Sequence, residues 1–258
     1  MTELWSRSRP QWGVVAAAVR LAAAALCLVI LALARPALAV PVDLRLVLAL
    51  DSSYSIDDGE FALQVGGIAA AFRNPELVEA IAAQPQGRIA VAVIQWAGPG
   101  HQFVAVPWMV VQDRASADTL ADRLDAMPRL TTDGATAIGD AIRFSVSLFP
   151  VEPGPERRVI DVSGDGQANA GMPVHVARQQ AVEAGVDING LAIQYELRSL
   201  AYYYDRVMVA GPTAFVEVAN GFEDFAAAIR RKLLREIRPN YIADNHDRNG
   251  STVAATTR

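Results

Sequence analysis

The sequence predicts an α/β fold: a doubly wound, mainly parallel six-stranded sheet with one antiparallel edge strand and helices on both faces. Three observations predict it. Val42–Leu50 is a nearly continuous apolar run, the pattern of a strand covered on both faces. Further apolar runs alternate with helical patterns along most of the chain. Two of the runs are separated only by Gly98-Pro99-Gly100. That is too short for a parallel crossover, so these two form an antiparallel hairpin.

The elements follow in order. The first strand, Val42–Leu50, ends where the chain turns polar at Asp51. Ser55 and Asp58 make a capping-box-like pair for a helix over Asp57–Arg73, whose apolar residues are Phe61, Val65, Ile68, Ala69 and Phe72. Arg88–Trp96 and Gln102–Val111 form the hairpin, and Pro107 inside the second run marks an edge strand. Trp96 and Trp108 lie on this hairpin, where covering the sheet edge is their expected role. Helices are expected over Ala117–Ala126, Ala137–Phe149, Val174–Ala184 and Leu200–Val209. Strands are expected over Arg157–Ser163, Val186–Ile193 and Ala214–Val218. Tyr202, Tyr203 and Tyr204 share one helix, so at least one ring faces the core. The last helix, Glu223–Ile237, is amphipathic, with Phe225, Ile229, Leu233 and Ile237 on one face. Its Arg230-Arg231-Lys232 group is expected on the solvated face.

Composition narrows the chemistry. The chain has 258 residues, 52% of them hydrophobic and 20% charged, the balance of a folded domain rather than a disordered chain. Arg7, Arg9 and Arg20 precede or enter an apolar run over Leu21–Ala34, and Ala37-Leu38-Ala39 closes it. This is the pattern of a secretory signal cut before Val40. An uncleaved membrane anchor is the alternative, since the apolar stretch is about long enough to span a bilayer. Residues 1–39 are therefore expected to be a signal peptide, 40–238 the domain, and 239–258 a disordered tail. The protein is expected to be exported, periplasmic or secreted.

Residues 1–39 hold four arginines and one glutamate, three net positive charges, so their loss takes the net charge from −5 to −8. An acidic domain is a poor nucleic-acid binder, and membrane association is expected only through an uncleaved N-terminus. The single cysteine, Cys27, lies in the segment expected to be removed. That excludes thiol catalysis, cysteine zinc sites and disulfides from the mature domain. His101, His175 and His246 show no metal-ligand spacing.

Doubly wound sheets place ligand sites at the carboxyl ends of their strands. Asp51-Ser52-Ser53-Tyr54-Ser55 follows the first strand, and Gly164-Asp165-Gly166 follows the Arg157–Ser163 strand. Between them in sequence, Asp133-Gly134-Ala135-Thr136 opens a helix. These loops offer carboxylates and hydroxyls without histidine or thiol. All-oxygen ligation suits a hard cation, and few carboxylates with small hydroxyls suit Mg²⁺, with Mn²⁺ or Ca²⁺ as alternatives. Asp51, Ser53 and Ser55 taken alone also fit a helix N-cap. Asp161, inside a strand, is open to two readings, hydrogen bonding to loop amides or support of the site. Asp133 and Asp140 are expected to cap or to face solvent.

The arrangement resembles the metal-ion-dependent adhesion site of von Willebrand factor type A domains. Asp51, Ser53 and Ser55 match the Asp-x-Ser-x-Ser element, Thr136 the threonine at a helix start, and Asp165 the later aspartate. The order of strands and helices matches over about residues 42–238. Stretches such as Thr136-Ala137-Ile138-Gly139 and Asp161-Val162-Ser163-Gly164-Asp165-Gly166 are similar to an uncharacterised family of exported proteobacterial proteins. The resemblance implies that Asp51, Ser53, Ser55, Thr136 and Asp165 hold the metal. It also implies a protein partner recognised through its carboxylate, rather than an enzyme. Two positions depart from the pattern: Gly164 stands for a usual threonine and Ala135 for a common glycine. Neither is a ligand position. The competing reading is a Mg²⁺-dependent hydrolase of phosphate esters. It lacks an Asp-x-Asp pair, a phosphate loop and a placed general base.

Overall fold

The computed structural model describes residues 40–238 except 133, 152, 153 and 196. The expected signal peptide and tail lie outside the described residues, as do Asp133, Cys27 and His246. Among the described residues, no helix is long and apolar enough to cross a membrane.

Six strands form one sheet: β1 (Leu44–Asp51), β2 (Ile89–Trp96), β3 (Gln102–Val111), β4 (Arg157–Gly164), β5 (Asp187–Ile193) and β6 (Val216–Ala219). Their spatial order is β3-β2-β1-β4-β5-β6. All neighbours are parallel except β2 and β3. Pro107 sits where the β2–β3 register shifts between Val91 and Ile94, so its missing N–H falls in a bulge on the edge strand.

The helices are α1 (Asp58–Phe72), α2 (Pro75–Ala82), α3 (Arg114–Asp125), α4 (Ile138–Leu148), α5 (Val174–Glu183), α6 (Leu200–Tyr203) and α7 (Phe225–Ile237). They cover both faces. Along β1, Leu44, Leu46, Leu48 and Leu50 point into one core with α1, α2, α3 and α7. Val47 and Ala49 point into the other, with α4, α5 and α6. Residues of a strand alternate between faces, so Asp51 belongs with Val47 and Ala49, at the carboxyl end of the second core. Trp96 is fully buried there. Trp108 packs on Phe149, and its Nε1 donates to the Leu148 carbonyl at 3.0 Å.

Four details differ from expectation. The cap of α1 is Asp57 with Glu60, not Ser55 with Asp58. Asp57 Oδ1 accepts from Glu60 N at 2.8 Å, and Glu60 Oε2 accepts from Asp57 N at 2.9 Å. Moving the cap two residues on leaves the Ser55 hydroxyl available to the neighbouring loop. Helix α2 had no counterpart in the sequence reading, although Asn74 caps it and Pro75 occupies its first turn, a pair suited to that start. The helix expected over Leu200–Val209 is split into α6 and a π-helical turn over Tyr204–Met208.

The fourth difference lies under α7. Lys232 is fully buried, not solvated. Its Nζ lies 2.8 Å from Asp161 Oδ1 and 2.5 Å from Glu236 Oε1, and Glu236 Oε1 also accepts from Asn189 Nδ2 at 3.0 Å. Asp161 shares a sheet face with Val159, which packs in the α7 core. It therefore neither binds loop amides nor supports the proposed metal residues on the opposite face. Burial pushes the Asp161 carboxyl up to about 7, against the pull of Lys232.

Removing one partner of a buried ion pair strands a charge and costs about 3–5 kcal/mol. Lys232→Met is expected to lower unfolding stability by that order in urea denaturation. Arg230→Ala, whose partner Glu76 is 3.6 Å away on an exposed face, is expected to cost under about 1 kcal/mol. Equal losses for the two variants would contradict the buried network.

Candidate metal centre

Three loops meet at the carboxyl edge of the sheet. The first begins at Asp51, fully buried at the end of β1. Ser53 N donates to Asp51 Oδ1 at 2.8 Å, which folds the loop back and sets Ser53 beside the carboxylate. The Ser53 and Ser55 hydroxyls are 3.4 Å apart. Ser55 Oγ then donates to Asp165 Oδ1 at 2.9 Å. This bond joins the loop after β1 to the loop after β4, its partners 110 positions apart in sequence.

Thr136 enters from the third loop, just ahead of α4, and is buried. Its amide donates to Asn169 Oδ1 at 2.8 Å, and Asn169 N donates back to the Thr136 carbonyl at 3.1 Å. This reciprocal clamp ties the start of α4 to the loop after β4. Thr136 Oγ1 lies 3.7 Å from where a Cβ on Gly166 would stand. The structure thus brings Asp51, Ser53, Ser55, Thr136 and Asp165 to one place.

Sequence reasoning missed the residues that brace them. Arg129 is the main one. Its Nη2 donates to the Ile56 carbonyl at 2.6 Å, and its Nε donates to Ser52 Oγ at 3.0 Å. Nη1 pairs with Asp58 Oδ1 at 2.7 Å. Ser52 Oγ in turn donates to the Thr131 carbonyl at 2.6 Å. Buried Gln95, at the end of β2, grips the same segment through the Pro128 carbonyl at 2.8 Å and Leu130 N at 2.7 Å. Arg129 lies in an irregular segment, so no periodicity marked it. Its partners are mostly carbonyls, which carry no side-chain signature.

The electrostatics follow from burial. Desolvation pushes the Asp51 carboxyl up to about 8, and the nearby Asp165 charge adds to this. The Ser53 hydrogen bonds and the Arg129 charge pull it down by less. Asp51 Oδ2 is buried with no hydrogen-bond partner among the described residues. Tyr204, fully buried, has its phenol held well above its ordinary value by burial and by the Asp51 and Asp165 charges. Two carboxylates, one with an unsatisfied buried oxygen, together with three hydroxyls make a donor set that fits a hard divalent cation.

A family model described as "Protein of unknown function (DUF1194)" matches residues 41–241. The chain belongs to this family. No curated protein matches the sequence. Solved structures share the fold of this family member, which is that of von Willebrand factor type A domains. Proximal thread matrix protein 1 from the mussel byssus, with a zinc-occupied MIDAS motif, aligns at TM-score 0.58 and 16% identity over 76% of this chain and 48% of that one. The pilus adhesin SpaC from Lactobacillus rhamnosus GG, in an open conformation, aligns at 0.57 and 13%, over 78% and 30%. A von Willebrand factor type A protein from Catenulispora acidiphila aligns at 0.50 and 16%, over 76% and 43%. The chain spans less than half the length of each of these three.

Arg129→Ala is expected to cost about 2–3 kcal/mol, measured by urea denaturation; a change within about 0.5 kcal/mol would contradict its bracing role. In EDTA, the raised Asp51 pKa means that the folded state binds more protons than the unfolded state between about pH 4 and pH 8. Stability in that window therefore falls as pH rises. Asp161 acts in the same direction. Asp51→Asn is expected to flatten part of the slope, and an unchanged slope would show that Asp51 titrates normally.

Proposed function

We propose that this protein is an exported binding module that holds a divalent cation, Mg²⁺ foremost, through Asp51, Ser53, Ser55, Thr136 and Asp165. In this reading it recognises a protein partner whose carboxylate completes the coordination. The observation that carries it is the buried, unpartnered Asp51 Oδ2 close enough to Asp165 for the second charge to raise its pKa. Such an oxygen is costly to bury without a counter-charge. The zinc-occupied motif of the byssus protein supports the metal, and the pilus adhesin supports a role in protein contact. The Ala37-Leu38-Ala39 sequence supports export.

The donor set explains why such an ion would still attract a ligand. Two carboxylates balance a divalent charge, while serine and threonine hydroxyls add none. The ion would supply a Lewis-acidic position for an incoming carboxylate. Burial of Asp51 and Ser53 keeps water from their side of the site. Ser55 is exposed, so the open side faces outward.

Mg²⁺ at about 100 times its dissociation constant is expected to stabilise the wild type by about 2.7 kcal/mol and to leave Asp51→Ala unmoved, read as a thermal shift against EDTA. No shift in the wild type would sink the metal reading. For the partner, a pull-down from the native envelope should lose a specific protein with EDTA and with Asp51→Ala alike. Turnover of a chromogenic phosphate ester with Mg²⁺, abolished in Asp51→Ala, would instead establish a metal-dependent hydrolase.

A further inference from the structure

Behind the carboxylates lies a residue that the cation reading does not use. Tyr204 is the first residue of the π-helical turn and is fully buried. Its hydroxyl donates to the Gly166 carbonyl at 3.3 Å, which places it under the loop carrying Asp165. Two glycines on adjacent strands make room for it. A Cβ on Gly164 would stand 2.8 Å from the Tyr204 hydroxyl and 2.8 Å from Asp51 Oδ2. A Cβ on Gly190 would stand 3.0 Å from Tyr204 Cδ2 and 2.7 Å from Met208 Cε. Real Cβ atoms do not approach within 3.0 Å, so a side chain at residue 164 would displace the Tyr204 hydroxyl and the Asp51 carboxylate, and one at residue 190 would move the Met208 methyl and press on the tyrosine ring.

The ring also needs its backbone placed. The turn over Tyr204–Met208 is wound wider than an α-helix, and such turns recur at functional sites. Tyr203, one residue earlier, remains only partly buried, and Tyr202 is 67% exposed. The Tyr204 hydroxyl, by contrast, reaches the Gly166 carbonyl at the sheet edge.

We propose that Tyr204 is a positioning residue of the metal centre: admitted by Gly164 and Gly190, its hydroxyl fixes the Asp165 loop through the Gly166 carbonyl and closes the floor behind Asp51. It touches no ligand of the ion's open side and acts through the two carboxylates. This rests on the cation reading above. Outer partners of metal ligands typically change affinity about 10–100-fold when removed.

The test is Mn²⁺ binding followed by electron paramagnetic resonance on the full chain, for wild type, Tyr204→Phe, Tyr203→Phe and Gly190→Ala. Tyr204→Phe keeps the ring and removes only the hydroxyl. It is expected to bind Mn²⁺ about 10-fold more weakly and to alter the zero-field splitting of the bound ion, while unfolding cooperatively in EDTA as the wild type does. Tyr203→Phe is expected to match the wild type. Gly190→Ala, whose Cβ would crowd the Tyr204 ring from the sheet side with no Asp51 atom among its nearest neighbours, is expected to weaken binding as well, and it decides the question if Tyr204→Phe does not fold. Unchanged Mn²⁺ affinity and spectrum in Tyr204→Phe and Gly190→Ala, with binding by wild type, would overturn this inference alone. A wild type that binds no Mn²⁺ would overturn the cation reading with it.

Discussion

A carboxylate at the end of a central strand, out of reach of water, sets the terms for this end of the molecule. Asp51 is the last residue of β1, which pairs with β2 along its whole length and with β4 as far as Leu50. Strand pairing therefore fixes the position of the carboxylate. Burial removes its hydration, and only partial replacement is supplied, by the Ser53 amide and hydroxyl and by the charge of Arg129 at longer range. The remaining oxygen has no partner among the described residues. Everything around it can be understood as support for a group that would be costly to bury by itself.

That support is distributed over the chain. Ser55 bonds to Asp165, Thr136 is clamped by Asn169, and Arg129 spans the first loop from Ser52 to Asp58. None of these loops is held by its own local hydrogen bonds alone. Each depends on a neighbour more than thirty residues away in sequence. The site is accordingly a property of the assembled sheet edge, and its geometry is as rigid as the strands beneath it. Tyr204 extends the same arrangement one layer deeper, into the core between the sheet and the π-helical turn.

The other face of the sheet solves a similar problem differently. There Asp161 is buried with Lys232, Glu236 and Asn189, so its charge is met by a side chain of the protein. Asp51 and Asp161 lie on neighbouring strands and are both fully buried, yet Asp161 has a lysine in direct contact while Asp51 feels Arg129 only at longer range. This contrast supports the external ion proposed for Asp51. The Lys232 network also fixes α7 against β4 and β5, because sliding the helix would separate buried charges.

Much of the fold was legible in the sequence. Apolar runs marked all six strands, and the short Gly98-Pro99-Gly100 link determined that β3 runs antiparallel. Asp51, Ser53, Ser55, Thr136 and Asp165 could be placed at strand ends because β-strands and helix starts leave patterns in composition. The cap at Asp57 and the helix after Asn74 are also written locally, in Asp57-Asp58-Gly59-Glu60 and Asn74-Pro75, although Ser55 with Asp58 offers a competing cap for the first. What only the tertiary structure decided is partnership across distance. Whether Lys232 faces water or Asp161, where Arg129 finds its carbonyls, and why residue 164 carries no side chain all depend on atoms brought together by packing. A helical period places Lys232 at the margin of the buried face of α7. The choice between solvent and core there is made by the charge waiting on β4, which no local pattern records.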